Sequence, residues 1–237
     1  MNIDIVGPER LEEVTGAVVV IDVLRAFTTA AHAFAAGASE ILMVGSVEEA
    51  FALQRALPGA RLMGEVDGYP IDGFDFGNSP FELSRQALGG ARVIHRTTSG
   101  TRSAVAARSA DAILAASFVV AGATARHLRQ LAPGRVSLVV SGRDRAFGGA
   151  DDLACADYLA ARLRGEEVPV APFLARVRES KAAGRFLDPA LTAFPAEDLE
   201  LALEADRFDF AMAASRRGDL LVLEPAGGAG QPIRWSP

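Results

Sequence analysis

The run AVVVID at residues 17–22 limits the possible folds of this chain more than any other stretch. It is continuously apolar up to Asp22, without the alternation that would leave one face to water. Such a run reads as a strand covered on both faces, as strands are inside a parallel sheet. Helical and strand-like patterns then alternate along the chain. RAFTTAAHAFAAG reads as a helix with Gly37 well placed at its C-terminal end. EILMV (40–44) is the next strand, and SVEEAFALQRAL opens with Ser46 and Glu49 at capping-box spacing. Further strands are read at ARLMGE (60–65), ARVIHR (91–96), DAILAA (111–116) and RVSLVVS (135–141). DDLACADYLAARLRG (151–165) is a helix with acids in its first turn, arginines in its last and Gly165 behind it. Beyond 165 the pattern is mostly helical until LLVLEP (220–225), a final strand. Repeated β-then-α units predict a three-layer α/β/α fold with a mostly parallel or mixed sheet. The expectation is one domain over 1–237, with 166–218 as a mostly helical accessory segment.

Composition excludes several function classes. The 237 residues carry a formal charge of -6, and no block of basic residues marks a nucleic-acid surface. No apolar run reaches the ~18–20 residues of a bilayer span. The start MNIDIVGPER lacks the basic and apolar regions of a signal peptide. One cysteine, Cys155, excludes an internal disulfide framework and a multi-cysteine zinc site. His32, His95 and His127 do not have zinc spacing. These readings together predict a soluble cytoplasmic protein. Lys181 is the sole lysine, so nearly all positive charge is arginine, which leans toward planar recognition of anions.

The informative polar residues come directly after the strands. Asp22 ends AVVVID, with Arg25, Thr28 and Thr29 close behind; Glu65 ends ARLMGE; ARVIHR runs into TTSGT (97–101); and SLVVS runs into GRDRAFGGADD (142–152). If the strands are parallel neighbours, these groups converge beyond their carboxyl ends, where open α/β sheets bind ligands. Each cluster also has a purely structural explanation. Asp22 can cap the next helix, TTSGT can be a turn and cap, and Asp151 or Asp152 can complement a helix dipole. Arg25 is harder to explain that way, because a cation at a helix start needs an anion partner. TTSGT has the small hydroxyls and permissive Gly100 of an anion cradle, although it lacks the Walker pattern. Asp22, Glu65, Asp151 and Asp152 would form an all-oxygen site suited to Mg²⁺.

GFDFGNSP (73–80) combines two roles. Ser79 as cap, Pro80 at the first helical position and Glu82 make a capping box for PFELSRQAL. Asp75 and Asn78 are either an Asx-turn or part of a site wall.

Taken together, VVVIDVLRAFTT, GE at 64–65, GFDFGNSP, RTTSGTR and GGADDLACA resemble, in order, the 2-phosphosulfolactate phosphatase (ComB) family. The resemblance covers roughly residues 1 to 225. It implies a magnesium-dependent α/β phosphatase of coenzyme M biosynthesis, dimeric, converting 2-phosphosulfolactate to sulfolactate and phosphate. The matching positions are Asp22, Arg25, Thr28, Thr29, Glu65, Asp75, Gly77, Asn78, Ser79, Thr97, Thr98, Gly100, Thr101, Arg102, Asp151 and Asp152. The chain departs from the family pattern at Val66, where arginine is usual, at Ser99 in place of asparagine, and at Asp151 in place of glutamate. On this reading Asp22, Glu65, Asp151 and Asp152 hold Mg²⁺, and Arg25 clamps the phosphoryl oxygens. Residues 97–101, Ser99 included, complete the cradle. Thr28, Thr29, Asn78 and Ser79 contact substrate, Asp75 acts catalytically or orients the metal shell, and Arg102 and Arg143 bind the carboxylate or sulfonate. The attacking group is either an activated water or Asp22 itself. The alternatives are a phosphatase for another small phosphorylated acid, or a non-catalytic anion-binding homologue.

Overall fold

The computed structural model of the chain describes residues 1–142 and 149–227. Ten strands are present: β1 (Asn2–Val6), β2 (Ala17–Ile21), β3 (Glu40–Val44), β4 (Arg61–Val66), β5 (Tyr69–Pro70), β6 (Arg92–Arg96), β7 (Ala112–Ala116), β8 (Arg135–Val140), β9 (Ala211–Arg217) and β10 (Leu220–Ala226). They form one mixed sheet in the order β1-β8-β2-β7-β9-β10-β3-β6-β4-β5. The helices are α1 (Ala26–Ala35), α2 (Val47–Ala56), α3 (Pro80–Leu83), α4 (Gly100–Ala106), α5 (Ala121–Leu131), α6 (Ala150–Arg164), α7 (Ala171–Arg178) and α8 (Ala196–Ala202).

β2 is covered on both sides, as its apolar run requires. Val18 and Val20 enter the core beneath α1 and α4. Ala17, Val19 and Ile21 enter the opposite core beneath α5 and α6. Each fully buried Val or Ile contributes about 1.5–3 kcal/mol, so β2 is stable only in the interior of the sheet. A smaller core, built on Leu42, Leu62, Ile94 and Ala50, packs α2 against the other half of the sheet. These are the three layers expected from the β-then-α pattern.

The helix starts at Ser46 and Ser79 obey the sequence signals, with one variation. Ser46 Oγ accepts the Glu49 N–H at 3.1 Å, and Ser79 Oγ accepts the Glu82 N–H at 3.1 Å. The glutamates reach past the cap residue itself. Glu49 accepts the Gly45 N–H at 2.9 Å and Glu82 the Gly77 N–H at 2.9 Å. Each box thereby closes the turn that precedes its helix.

The accessory segment differs from its helical expectation. α7 and α8 lie within it, but Ala211–Arg217 is strand β9. Ala and Arg favour helix locally. Here the two-residue Gly218–Asp219 connection, with Gly218 at φ +63°, turns the chain into a hairpin with β10. β9 also pairs antiparallel with β7, and that pairing outweighs the local preference.

The hairpin changes how the strands are related. β1, β8, β2 and β7 are mutually parallel, and so are β3, β6 and β4. Between them lie three antiparallel pairings, β7 with β9, β9 with β10 and β10 with β3. The second set therefore runs opposite to the first, and the strands are not one row of parallel neighbours. Their carboxyl ends meet all the same. Five strand-to-strand steps separate β2 from β6, and at about 20–25° per step they turn the strand axis by on the order of 100°. Strands that would point apart in a flat sheet then point toward a common region. The contact is direct: a Cβ at Gly100, just after β6, would lie 2.9 Å from Asp22 Oδ2, just after β2.

Candidate active site

A cavity of about 260 Å³ lies where these strand ends meet. One side is built by Asp22 and Arg25 after β2, Ser141 and Gly142 after β8, and Asp151 and Asp152 at the start of α6. The second half of the sheet contributes Glu65, Asp67 and Gly68 from β4 and its turn, with Asn78, Thr98 and Ser99. The segment after α7 closes the far side with Ala182, Arg185, Phe186 and Phe194.

The four acids expected to act together do gather here, all buried. Asp22 Oδ1 accepts the Ala26 N–H at 2.9 Å, and the Ser141 hydroxyl lies 3.2 Å from its Oδ2. Asp152 accepts the Val23 N–H at 2.8 Å and the Gly142 N–H at 3.0 Å. Glu65 accepts the Thr98 N–H at 2.5 Å and its hydroxyl at 3.0 Å, as well as the Gly68 N–H. Burial lifts the Asp22 carboxyl to about 7, and the charges of Asp151 and Glu65 add to the lift. Burial likewise raises Asp151 to about 6. Asp152 is pushed well up, by burial first and then by Asp151 and Asp22.

Among the described residues, no three acid, histidine or cysteine side chains form a ready metal-ligand group. Magnesium asks for less, since it binds through one or two carboxylates and keeps several waters or substrate oxygens. The donors here suit such an ion: all are oxygens, and they repel one another in a low-dielectric site. Both oxygens of Glu65 and of Asp152 are already taken by N–H or hydroxyl donors. Asp22 is held in the same way, by the Ala26 N–H and the Ser141 hydroxyl, so these carboxylates are oriented by the fold and none is set apart as the preferred ligand.

Arg25 has an anion partner, but it is internal. Its Nη1 donates to Asp198 Oδ2 at 2.7 Å and to the Ala193 carbonyl at 3.0 Å, and its Nη2 to the Gly68 carbonyl at 2.8 Å. Phe186 and Phe194 flank the guanidinium, with ring centroids at 5.3 and 4.8 Å. Instead of clamping a phosphoryl group with a free fork, Arg25 ties α1 to α8 and to the turn after β4. Asp198 also accepts from the Ser79 hydroxyl at 2.6 Å and the Phe81 N–H at 3.0 Å. Ser79 is thus a helix cap and a link in this network.

The hydroxyl loop divides. Thr98 and Ser99 face the cavity. Thr97 and Thr101 hold each other, through Thr97 N–H to Thr101 Oγ1 at 2.8 Å and Thr101 N–H to Thr97 Oγ1 at 3.0 Å. Thr101 Oγ1 also donates to the Val44 carbonyl at 3.1 Å. These two residues shape the loop and do not line the cavity. Gly100 is required where it stands, since a Cβ there would also lie 2.8 Å from the Ala26 Cβ.

Thr28 and Thr29 are fully buried on α1, and the Thr28 hydroxyl donates to the Val23 carbonyl at 2.8 Å. Neither lines the cavity. Asn78 does, and its Oδ1 lies 3.3 Å from His95 Nε2. Burial pushes the His95 pKa down to about 3, so the ring is neutral, and an amide oxygen calls for its Nε2–H tautomer. Asp75 lies elsewhere: it pairs with Arg61 at 2.9 Å and accepts the Leu62 N–H at 2.8 Å. Those bonds pin the GFDFG turn to β4, as an Asx-type anchor would, and Asp75 is not part of the cavity wall. Arg102 is exposed and away from the cavity. Arg143 lies outside the described residues.

The sequence reading missed Asp198, Arg185, Phe186 and Phe194. All four fall in or beside short helical stretches where an acid, an arginine or a phenylalanine is unremarkable, and no local pattern sets them apart.

A twisted α/β sheet that gathers carboxylates, hydroxyls and arginines over a small cavity is suited to chemistry on a small anion. A family model described as 2-phosphosulpholactate phosphatase matches residues 5–214. A Bacillus subtilis (strain 168) protein named "Probable 2-phosphosulfolactate phosphatase" is 35% identical over 209 residues, 87% of this chain and 90% of that protein. Proteins of the same name from Carboxydothermus hydrogenoformans and Deinococcus radiodurans are 45% and 42% identical, over 67% and 60% of this chain and 66% and 59% of their own lengths. The chain belongs to the 2-phosphosulpholactate phosphatase family, and is thus a phosphatase, a phosphoric monoester hydrolase.

Proposed function

We propose that this chain is a magnesium-dependent phosphatase that hydrolyses 2-phosphosulfolactate to sulfolactate and phosphate. The names of its relatives point to that substrate, which would place it in coenzyme M biosynthesis. The observation that carries the cation requirement is the acid cluster. A cavity lined by Asp22, Glu65, Asp151 and Asp152 repels a phosphate ester unless a cation offsets the charge. Bound Mg²⁺ would supply that charge and polarise the phosphoryl group.

The chain's own groups carry the remaining work. Hydrolysis joins a water oxygen to phosphorus and releases the ester oxygen, which takes up a proton. The Asp22 carboxylate lines the cavity and is placed to orient the attacking water, whose proton balances the one taken up by the departing ester oxygen. The Ser141 hydroxyl and the Ala26 N–H hold that carboxylate in place. Thr98 and Ser99 line the cavity on the side of Glu65, and Phe186 and Phe194 give it an apolar wall. Asp22 as the nucleophile is the second route. Single-turnover hydrolysis in ¹⁸O water separates the two, because a phosphoenzyme places label in the Asp22 carboxylate.

The same reading makes the enzyme a cytoplasmic homodimer. Val66, Tyr69, Leu153 and Leu187 are exposed large apolar side chains. Each lies next in sequence to a residue that lines the cavity. A second copy covering these segments would bury them. Light scattering on the purified protein tests this, and a monomer at micromolar concentration would refute it.

The direct test of the activity is phosphate release from 2-phosphosulfolactate with and without Mg²⁺. Turnover that requires Mg²⁺ and is lost in Asp22→Asn supports the reading. Full turnover in the presence of a chelator would exclude the metal.

A further inference from the structure

We infer that His95, which does not itself line the cavity, is a positioning residue: it holds the Asn78 amide by its oxygen and so leaves the amide NH₂ group for the anionic substrate. The inference rests on the phosphatase reading above. His95 is fully buried on β6, in register with Met43 of β3 and Met63 of β4. Residues in register on neighbouring strands share a face of the sheet, and both methionines lie in the core beneath α1 and α4. An apolar side chain at 95 would suit that face better, since a polar ring there gives up its water. The hydrogen bond to Asn78 is what an apolar side chain could not make.

Asn78 links this core to the site. It lines the cavity and is 5% exposed. Among the described residues its side chain has one hydrogen bond, at 3.3 Å to His95 Nε2. One end of the amide is therefore held from behind, and the other is left for the cavity.

The ring decides which end is which. His95 Nδ1 is buried with no hydrogen-bond partner among the described residues. A proton on Nδ1 would be an orphaned N–H in the core, whereas a bare Nδ1 leaves only a lone pair unmatched, and orphaned N–H groups are the rarer case. Burial keeps the ring neutral, so its one proton lies on Nε2 and is donated to Asn78 Oδ1. The amide cannot flip without setting its NH₂ against that N–H. Asn78 Nδ2 thus offers donors in a cavity that also holds four buried carboxylates. A donor is what a phosphoryl, carboxylate or sulfonate oxygen needs there.

The first measurement is the tautomer. Long-range ¹H–¹⁵N spectra of the wild-type protein should show His95 with Nε2 protonated and Nδ1 bare, and a proton on Nδ1 would overturn the inference. The second is a mutant cycle read as kcat/KM for 2-phosphosulfolactate with Mg²⁺. Asn78→Ala is expected to lose about 10- to 100-fold, the range of a hydrogen bond to a charged group. His95→Met is expected to lose about tenfold in the wild-type background but less than about twofold beside Asn78→Ala, because its effect passes through Asn78. Its Tm should stay within about 4 °C of wild type, since methionine fits the apolar face. Equal losses in the two backgrounds, or a His95→Met rate within about twofold of wild type, would overturn the inference and leave the phosphatase reading intact. Should His95→Met fail to fold, as judged by circular dichroism, the tautomer decides. Inorganic phosphate and sulfolactate, titrated separately by calorimetry with Mg²⁺ present, give a readout without turnover. The ligand whose affinity falls in both single variants identifies the oxygen that Asn78 meets. Such a fall in a protein that hydrolyses no 2-phosphosulfolactate would uphold the inference and overturn the phosphatase reading. No binding of either ligand and no hydrolysis in wild type would overturn both.

Discussion

Arg25 and Asp198 form a buried ion pair at 2.7 Å that joins the helix after β2 to α8. Each charge depends on the other, since neither is exposed to water. Asp198→Ala leaves a buried guanidinium without its counter-ion, and the expected loss of stability is about 3–5 kcal/mol. Urea unfolding of the variant measures it. The double variant Arg25→Met, Asp198→Leu should recover most of the loss, because an apolar pair carries no unpaired charge. A single variant within 1 kcal/mol of wild type would refute the role assigned to the pair.

Magnesium protection should depend on pH in a defined sense. Asp22 and Asp151 have folded pKa values of about 7 and about 6, raised mainly by burial. They bind protons more tightly folded than unfolded. Without metal, their contribution to stability is present below about pH 4 and lost as pH rises through 6 to 7. Mg²⁺ competes for the same carboxylates, so its stabilisation grows over that window. The rise in Tm on adding Mg²⁺ should be larger at pH 8 than at pH 5. In Asp22→Asn it should be reduced at both, and equal shifts at the two pH values would contradict the assignment.

Gly100→Ala is expected to impair activity more than stability. A Cβ there meets Asp22 Oδ2 at 2.9 Å and the Ala26 Cβ at 2.8 Å, so either α4 or Asp22 must shift. Overpacking of this kind costs about 1–3 kcal/mol. A displacement of order 1 Å at a reacting group can cost about 10²-fold in rate. Steady-state kinetics beside thermal melts give both numbers, and an unchanged kcat would show that Asp22 tolerates the shift.

Asp75→Ala is expected to behave as a structural change. Its carboxylate anchors Arg61 and the Leu62 N–H, away from the cavity. The exposed ion pair is worth about 0–1 kcal/mol, and the backbone bond about 0.5–1.5 kcal/mol. Stability should fall by roughly 1–2 kcal/mol while kcat/KM stays within about twofold. A hundredfold loss of kcat/KM with normal stability would return Asp75 to the active site.

Much of this molecule is legible in one dimension. The apolar runs of β2, β3, β4, β6, β7, β8 and β10, and the caps at Ser46 and Ser79, are local, because period, burial and capping depend on neighbours a few residues away. Asp22, Glu65, Asp151 and Asp152 were legible as candidates as well, since each ends a strand or opens a helix. Local pattern could not reveal that Ala211–Arg217 would insert as β9 and reverse half of the sheet, nor that the accumulated twist would bring opposed strand ends together. Those outcomes depend on pairing between β7 and β9, about a hundred residues apart in sequence. The partners of charged groups were decided the same way. Arg25 signalled by its place at a helix start that it needed an anion, and only the packing of α8 showed that the anion is Asp198. An unpaired charge can be recognised from its immediate neighbours. Its partner is chosen by tertiary contacts, where desolvation makes the nearest well-placed opposite charge the one that binds.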